Sequence, residues 1–255
     1  MPGLPRMTGH PPPAARLLAY ADRLVRDDLA DLVLGCRCVG CGRPGRALCV
    51  RCAPALRAPA FATEPDPVPP GLPPVWAVAS YAGVPRAALL AHKERGRTSL
   101  AGPLGAALAT AVAAATSRRP VVLVPIPSST AVTRRRGHDP LSRIVGRAAR
   151  AARRAGLPVT VRSALAVGRR VADQAGLDAR ARRANLAGAF VVRSRARDLL
   201  TGRTVLLVDD VLTTGATLAE ATRVLRATGV HVRAAAVVAA TRRRRPAAVP
   251  GPGPV

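Results

Sequence analysis

Residues 205–217 read Val-Leu-Leu-Val-Asp-Asp-Val-Leu-Thr-Thr-Gly-Ala-Thr, and this stretch decides the fold. Four consecutive apolar residues, Val205–Val208, predict a strand that is buried on both faces, as in a parallel sheet. Two carboxylates, Asp209 and Asp210, follow at the predicted end of that strand. A loop of small residues comes next, and a helical pattern then runs as far as Gly229. This order of strand, acidic tip, small loop and helix is typical of sites that bind phosphorylated ligands.

The small loop has the composition of a phosphate cradle. Small side chains would let a phosphate approach the backbone N–H groups, and Gly215 permits the turn. The helix start favours an anion at the same point. The predicted phosphate contacts are Thr213, Thr214, Gly215, Ala216 and Thr217. The two carboxylates would repel phosphate, so we expect them to accept hydrogen bonds from sugar hydroxyls, which together indicates a ribose 5-phosphate group. The alternatives are an acidic strand end with an ordinary helix cap and the acidic pair of a receiver domain.

The rest of the chain predicts an α/β fold with a mostly parallel, twisted sheet flanked by helices, because strand and helix patterns alternate. The predicted strands are 75–81, 121–124, 158–166, 189–193, 205–208 and 230–240. The predicted helices are 85–93, 100–116, 139–155 and 218–228, with Asp139 and Pro140 as an N-cap and first-turn pair. Ligands of such sheets bind at the carboxyl ends of the strands, so residues 125–130 and 209–217 should face one crevice.

Composition supports one core and attraction to polyanions. The chain has 255 residues, of which 49% are hydrophobic and 2% aromatic, so Ala, Val and Leu must build the core. The formal net charge is +26, and Lys93 is the only lysine among 40 basic residues. A protein with such a high positive charge attracts nucleotides and nucleic acid. Its few aromatic residues, however, offer little surface on which nucleic-acid bases could stack.

Changes in composition divide the chain into five parts. We expect disorder over 1–13, a helix followed by a cysteine module over 14–56, a Pro-rich linker over 57–74, the α/β domain over 75–241 and a disordered basic tail over 242–255. No secretory signal is visible at the N-terminus, and helix 100–116 is too weakly hydrophobic to predict a membrane span. We therefore expect a cytoplasmic protein.

The cysteine module predicts a structural zinc site. Its spacing is Cys38-x2-Cys41-x7-Cys49-x2-Cys52, which supplies four thiolates for a tetrahedral Zn²⁺ ion with no open coordination position. Cys36 is a fifth cysteine, either a spare thiol or a ligand in place of Cys38. Disulfides and vestigial cysteines are the alternatives, and an odd count in an intracellular chain disfavours disulfides.

All thirteen residues of the opening stretch resemble the binding motif for phosphoribosyl diphosphate (PRPP) of type I phosphoribosyltransferases. Three further features resemble the ComF-like (competence protein F-like) proteins. They are the paired cysteines, Val124-Pro-Ile-Pro127 followed by Arg134-Arg-Arg-Gly137, and Gln174 with Arg182-x-x-Asn185. The resemblance covers roughly residues 30–240. One turn departs from it, since His138-Asp139-Pro140 stands where the family usually has Phe-Asn-Gln.

The resemblance implies roles for more residues. It makes Asp209 and Asp210 the catalytic pair that holds the ribose hydroxyls, and it implies that Ser128 and Ser129 hold the diphosphate. The other residues that it implies for PRPP binding are Lys93, Arg136, Gln174, Arg182 and Asn185. Residues 168–185 would correspond to the family's mobile loop, which closes over PRPP. The alternative for each of these residues is an ordinary solvated surface or a plain connection between elements.

The implied activity is that of a pentosyltransferase, which transfers a 5-phosphoribosyl group from PRPP with Mg²⁺ and diphosphate as leaving group. The acceptor is not readable from the sequence. Two alternatives stay open: a non-catalytic PRPP or nucleotide-binding adaptor in DNA uptake, with single-stranded DNA or competence proteins as partners, and a zinc-bearing DNA-binding protein.

Overall fold

A computed structural model of the chain describes residues 36–116, 120–128, 139–168 and 188–241. These residues form a seven-stranded, mostly parallel sheet flanked by helices, which confirms the predicted fold class. The strands run in the order β1 (Phe61–Thr63), β2 (Val75–Ala77), β9 (Val232–Ala240), β8 (Val205–Leu212), β4 (Val121–Pro125) and β5 (Val159–Val161), and β3 (Ala79–Ser80) also pairs with β9. Only the edge strand β1 is antiparallel to its neighbour.

Helices cover the sheet and carry the connections between its strands. They are α1 (Gly83–Glu94), α2 (Ala101–Thr116), α3 (Pro140–Arg154), α4 (Ser194–Leu200) and α5 (Ala216–Arg226). The predicted start of α3 is confirmed, because the Asp139 side chain accepts a hydrogen bond from the Ser142 N–H and Pro140 stands at the first turn. Helix α4 was not predicted.

Strand β8, which contains Asp209 and Asp210, is longer than the sequence predicts. It continues through both carboxylates to Leu212, because the neighbouring strand β9 keeps pairing with it at Asp209↔Val237, Val211↔Ala239 and Leu212↔Ala240. The following helix begins at Ala216 rather than at residue 218. The acidic pair therefore lies within the strand, and the loop between strand and helix is only three residues long, Thr213 to Gly215.

Two predicted strands are divided in the structure. Segment 75–81 forms β2 and β3, which both pair with β9. Segment 158–166 turns after β5, where the Ala164 N–H donates to the Arg162 carbonyl, and its second half becomes β6 (Leu165–Val167). This strand pairs antiparallel with β7 (Phe190–Val192) in a separate two-stranded sheet. The segment interpreted as a linker also contributes the edge strand β1.

The core is built from Ala, Val and Leu, as the composition predicts. Its largest fully buried side chains are almost all leucines, among them Leu104 and Leu108 on α2 and Leu206 and Leu207 on β8. Thr98–Thr116 is long and apolar enough to cross a membrane by composition, with a hydropathy of 1.4. In the fold this segment packs against α3 and β9, and 56% of its most apolar window is buried. Burial in the core accounts for its apolar composition.

Candidate functional site

A cavity of about 350 Å³ opens where the carboxyl ends of β4 and β8 lie side by side. Its polar lining consists of residues that the sequence predicts for the site: Lys93, Ser128, Asp209, Asp210 and Thr213. Its apolar lining consists of Tyr81, Ile126, Pro127, Pro140, Leu141 and Val211. The cavity lies at the edge of a parallel sheet where ligands are expected. One part of its wall is therefore charged and hydrogen-bonding, and another part is apolar.

Asp209 and Asp210 are held firmly at this edge by β8. Asp210 is only 9% exposed, and Asp209 is partly buried. The carboxylate of Asp209 accepts a hydrogen bond of 2.8 Å from the backbone N–H of Asp210, which fixes its orientation. Adjacent residues of a strand normally point to opposite faces, yet both carboxylates border the same cavity at the end of β8.

Lys93 is the cationic partner of this pair. It stands near the end of α1, and its Nζ lies 2.8 Å from Oδ2 of Asp210. The two side chains are 41% and 13% exposed, so the ion pair is partly shielded from water. The family resemblance predicts Lys93 as a contact to phosphate or diphosphate. In this structure the ammonium group forms an ion pair with one of the two neighbouring carboxylates.

The environment of Asp209 favours its protonated form. Burial raises the pKa of the Asp209 carboxyl well above its ordinary range, and the nearby charge of Asp210 raises this pKa further. The hydrogen bond from the Asp210 N–H and the charge of Lys93 oppose the shift but do not cancel it. Ionising groups with such shifts in a cavity are typical of functional sites.

The loop after β8 leads into the N-terminus of α5. Gly215 is the N-cap residue of this helix and has a left-handed backbone with a φ of +72°. As a glycine, this N-cap residue has no side chain that could cap the helix. The Oγ1 atom of Thr214 accepts a hydrogen bond of 3.5 Å from the backbone N–H of Ala216. The first turn of α5 has no acidic residue, and the N–H groups of a first helical turn lack helical partners. The loop and helix start can therefore accept an anion.

Two site residues escape the sequence reasoning. Tyr81 lines the cavity as the last residue of a predicted strand, so the rule that ligands bind at strand ends would have found it. His92 is buried, with Nδ1 3.1 Å from the Arg97 carbonyl oxygen and Nε2 3.1 Å from that of Pro140. His92 thus ties the end of α1, which carries Lys93, to the start of α3 at the cavity wall. No local pattern distinguishes this histidine.

The structure gathers Cys38, Cys41, Cys49 and Cys52 into one cluster. Their sulfur atoms all lie within 4.8 Å of one another, and those of Cys41 and Cys49 are 3.6 Å apart. A tetrahedral zinc site with Zn–S bonds of about 2.3 Å would place its sulfurs about 3.8 Å apart, so the four thiols fit such an ion after a small contraction. Gly40 allows the close approach, because a Cβ atom there would lie 2.8 Å from the Cys52 sulfur.

Backbone hydrogen bonds lower the pKa of the Cys38 and Cys49 thiols, whereas burial and the neighbouring thiols raise the pKa of Cys52. The Cys49 N–H donates to the Cys38 sulfur at 3.4 Å. Burial opposes ionisation of Cys38, but backbone hydrogen bonds from Cys49, Cys41 and Gly40 outweigh it and lower the pKa of this thiol to about 6. Thiolate is the form that binds metal ions. The cluster therefore could hold a metal with the ligand set that the spacing predicts.

The fifth cysteine lies outside this cluster. The sulfur of Cys36 accepts a hydrogen bond from the Arg97 guanidinium group, and the same guanidinium donates to the Arg37 carbonyl at 2.8 Å. Cys38 rather than Cys36 therefore belongs to the four-sulfur group. The contact with Arg97 joins the cysteine module to the turn that follows α1.

Five other predicted site residues lie outside the residues that the structure describes. They are Ser129, Arg136, Gln174, Arg182 and Asn185. The predicted helix at the start of 14–56 and both chain ends, 1–13 and 242–255, also lie outside them.

Comparisons with known proteins agree with the geometry of the site. Residues 140–249 match the family described as phosphoribosyl transferase domain. Over 39 residues, 15% of this chain, the sequence is 62% identical to the adenine phosphoribosyltransferase of Mycobacterium avium and 59% identical to that of Mycobacterium marinum. These matches span 22% and 21% of the two relatives, about a fifth of their length. Over residues 140–249, this chain therefore carries a phosphoribosyl transferase domain of the type I superfamily.

Proposed function

We propose that this protein binds PRPP with Mg²⁺ and transfers its 5-phosphoribosyl group to a nitrogen acceptor, with diphosphate as the leaving group. The observation that carries the proposal is the meeting of Asp209 and Asp210 with the helix start at Gly215, at one edge of the sheet. The phosphoribosyl transferase domain match over the same region supports it.

Each part of the site has a role in this proposal. The loop and first helical turn, Thr213–Thr217, bind the 5-phosphate through backbone N–H groups and hydroxyls. Asp209 and Asp210 hydrogen-bond to the ribose hydroxyls, and the Asp210 carboxylate stabilises the positive charge that develops on the sugar as diphosphate departs. Ser128, which lines the cavity three residues beyond β4, binds the diphosphate, and Ser129, which lies outside the described residues, is the predicted second contact. Bound Mg²⁺ would neutralise charge on the diphosphate.

Lys93 has a second role in the proposal. In the free protein its ammonium group compensates the Asp210 carboxylate at 2.8 Å, so the acidic pair does not present two unscreened negative charges to an incoming polyphosphate. When the sugar hydroxyls reach the carboxylates, this ammonium group can turn toward the diphosphate, as the family resemblance implies. Its half-exposed side chain leaves room for that movement.

The apolar side of the cavity suggests where to look for the acceptor. Tyr81, Leu141 and Val211 offer a surface for a flat, weakly polar molecule beside the sugar site. Adenine is the first acceptor to test, because the similar mycobacterial proteins are named adenine phosphoribosyltransferases. We further propose that the cysteine cluster binds Zn²⁺ as a structural metal.

The proposal is tested by incubating purified protein with PRPP, Mg²⁺ and a panel of nitrogen acceptors that includes adenine, and measuring released diphosphate. We expect acceptor-dependent release from the wild type and its loss in Asp209→Asn and Asp210→Asn. Asp198→Asn, which removes an exposed carboxylate of α4, is the matched control and should keep full activity. Calorimetric titration with PRPP and Mg²⁺ should show binding even where no acceptor is turned over.

The outcomes also separate the alternatives. PRPP binding without diphosphate release across the panel would leave the non-catalytic adaptor, and binding of single-stranded DNA that survives both aspartate substitutions would favour the DNA-binding protein. Absence of any PRPP binding by metal-replete protein would refute the proposal. The relation to ComF-like proteins in particular, the link to DNA uptake and the cytoplasmic location stay predictions.

A further inference from the structure

The Pro-rich segment between β1 and β2, residues 64–74, packs against the phosphate loop rather than crossing open solvent. We name this segment the strap. Pro65 and Pro69 are buried and Leu72 is half-buried, whereas Pro70 is exposed. The Leu72 N–H donates to the Pro69 carbonyl at 3.2 Å, which folds the strap back on itself. The sequence interpretation of this segment as a linker misses that contact.

The buried side of the strap closes around Gly215. A Cβ atom on Gly215 would lie 3.1 Å from Cγ of Pro65, 3.2 Å from Cγ of Pro69 and 3.2 Å from Cδ2 of Leu72. A Cβ atom on Gly202, which has nearly the same left-handed backbone, would meet nothing within 4 Å. The close packing is therefore a property of this loop and not of left-handed glycines in general.

The strap and the loop share one rigid frame. At one end of the strap, β1 pairs with β2, and at the other end the Pro74 carbonyl accepts the Ala235 N–H at 2.8 Å. Ala235 lies on β9, which pairs along its length with β8, the strand that leads into the loop. These pairings fix both ends of the strap relative to the strand that leads into the loop.

We propose that Pro65, Pro69 and Leu72 are positioning residues for the phosphate loop, which hold Gly215 in its left-handed conformation before a 5-phosphate arrives. None of the three lines the cavity, so they support the loop from outside and leave the ligand space open. A loop that is already ordered loses less conformational entropy on binding. This inference rests on the proposed function, because it assigns the 5-phosphate to the loop.

The test compares Pro69→Ala and Leu72→Ala with Pro70→Ala, which makes the same kind of change at an exposed strap position that is not among the three nearest neighbours of a Cβ atom on Gly215. Calorimetry measures the affinities for ribose 5-phosphate, for PRPP with Mg²⁺, and for inorganic diphosphate alone. We expect both sugar phosphates to bind about tenfold more weakly to Pro69→Ala and Leu72→Ala, because the loop must then be ordered by the ligand. Diphosphate affinity, and all affinities of Pro70→Ala, should match the wild type.

Hydrogen exchange on the ligand-free protein gives a second measurement that needs no ligand. The Ala219 N–H donates to the Gly215 carbonyl at 2.9 Å, so a loosened loop should expose the amides of Ala216 and Ala219. We expect faster exchange of these amides in Leu72→Ala and Pro69→Ala than in Pro70→Ala.

Three results would overturn the inference. They are unchanged sugar phosphate affinity and exchange, an equal loss of affinity for all three ligands, and a gain in affinity, which would mean that the strap obstructs the loop. If the wild type binds no sugar phosphate, the proposed function fails, and the exchange rates still decide whether the strap orders the loop.

Discussion

Asp209 lies where an ionised carboxylate is costly, and a second acid, Asp210, follows it directly. Both border a cavity at the end of a buried strand, and one lysine, Lys93, compensates one of them directly. The cost falls on Asp209, whose pKa is raised by burial and by its neighbour. Folding alone does not require two adjacent acids at this point, whereas a ligand with several hydroxyls would compensate both. The acidic pair therefore lowers the stability of the free protein, and a ligand with several hydroxyls would offset that cost.

Replacing Asp209 with Asn should therefore stabilise the ligand-free protein at neutral pH. Between the usual carboxyl pKa of about 3.9 and the raised pKa of the folded state, the folded protein retains a proton that the unfolded chain has released. Because the unfolded state binds fewer protons in this range, wild-type stability falls as pH rises through it. The variant cannot ionise at this position, so this decline is absent.

The measurement is urea unfolding between about pH 5 and pH 8. We expect the difference in unfolding free energy, variant minus wild type, to grow with pH and to reach about 1 kcal/mol or more at the upper end. Asp198→Asn is the control, since it makes the same substitution at an exposed residue that does not line the cavity. A variant that becomes less stable than the wild type as pH rises would contradict the placement of Asp209.

Helices α2 and α3 meet at a glycine, and this contact sets their distance. A Cβ atom on Gly105 would lie 2.5 Å from Cβ of Arg147 and 3.0 Å from the Ala148 backbone nitrogen. On the exposed side of α3, a Cβ atom on Gly146 would meet nothing within 4 Å. Both glycines lie inside helices, but only at Gly105 does close packing leave no room for a larger side chain.

We expect Gly105→Ala to lower the free energy of unfolding by about 1 to 3 kcal/mol, because the methyl group must push the two helices apart. Gly146→Ala should raise it by about 0.5 to 1 kcal/mol, since alanine favours the helix and restricts the unfolded chain. Denaturant unfolding of both variants measures the difference. Equal stability of the two variants would mean that the helices do not pack closely at Gly105.

The elements that the sequence predicts well are those with a strong local pattern. Four apolar residues predicted the first half of β8, and Asp139 with Pro140 predicted the start of α3. The extension of β8 through Asp209 and Asp210 was missed because aspartate normally disfavours strands, and pairing with β9 overrides that preference.

Contacts between distant parts of the chain leave no such local pattern. Lys93 and Asp210 are separated by 117 residues, and nothing near either of them predicts their ion pair. The strap likewise has no periodicity, so its composition predicted a linker while three of its side chains pack on Gly215. Sequence reasoning therefore found most polar groups of the site but not the residues that hold them in place.

The cysteine cluster is joined to the α/β domain by a continuous core. Cys36, Ala47 and Leu56 belong to the same hydrophobic cluster as the strands of the sheet. Gly40 approaches Val84 at the start of α1, and the Arg97 guanidinium bonds to the Arg37 carbonyl just beyond the end of α1. The module thus contacts the start of α1, the helix that carries Lys93 and His92, and the turn just after its end.

Removal of the Zn²⁺ that we propose for the cysteine cluster should consequently destabilise the whole protein rather than the module alone. Treatment with a strong chelator should lower Tm by about 10 °C or more in a single transition, because a structural metal contributes directly to folding and the module shares its core with the sheet. Circular dichroism with metal quantification makes the measurement.

The two cysteine variants are the controls for this experiment. Cys38→Ser should lose the metal and show the same low Tm without chelator. Cys36→Ser should retain about one metal ion per chain, because Cys36 lies outside the cluster. Two separate unfolding transitions would mean that the module and the sheet fold independently. Retention of metal by Cys38→Ser together with its loss by Cys36→Ser would mean that Cys36, rather than Cys38, is the metal ligand.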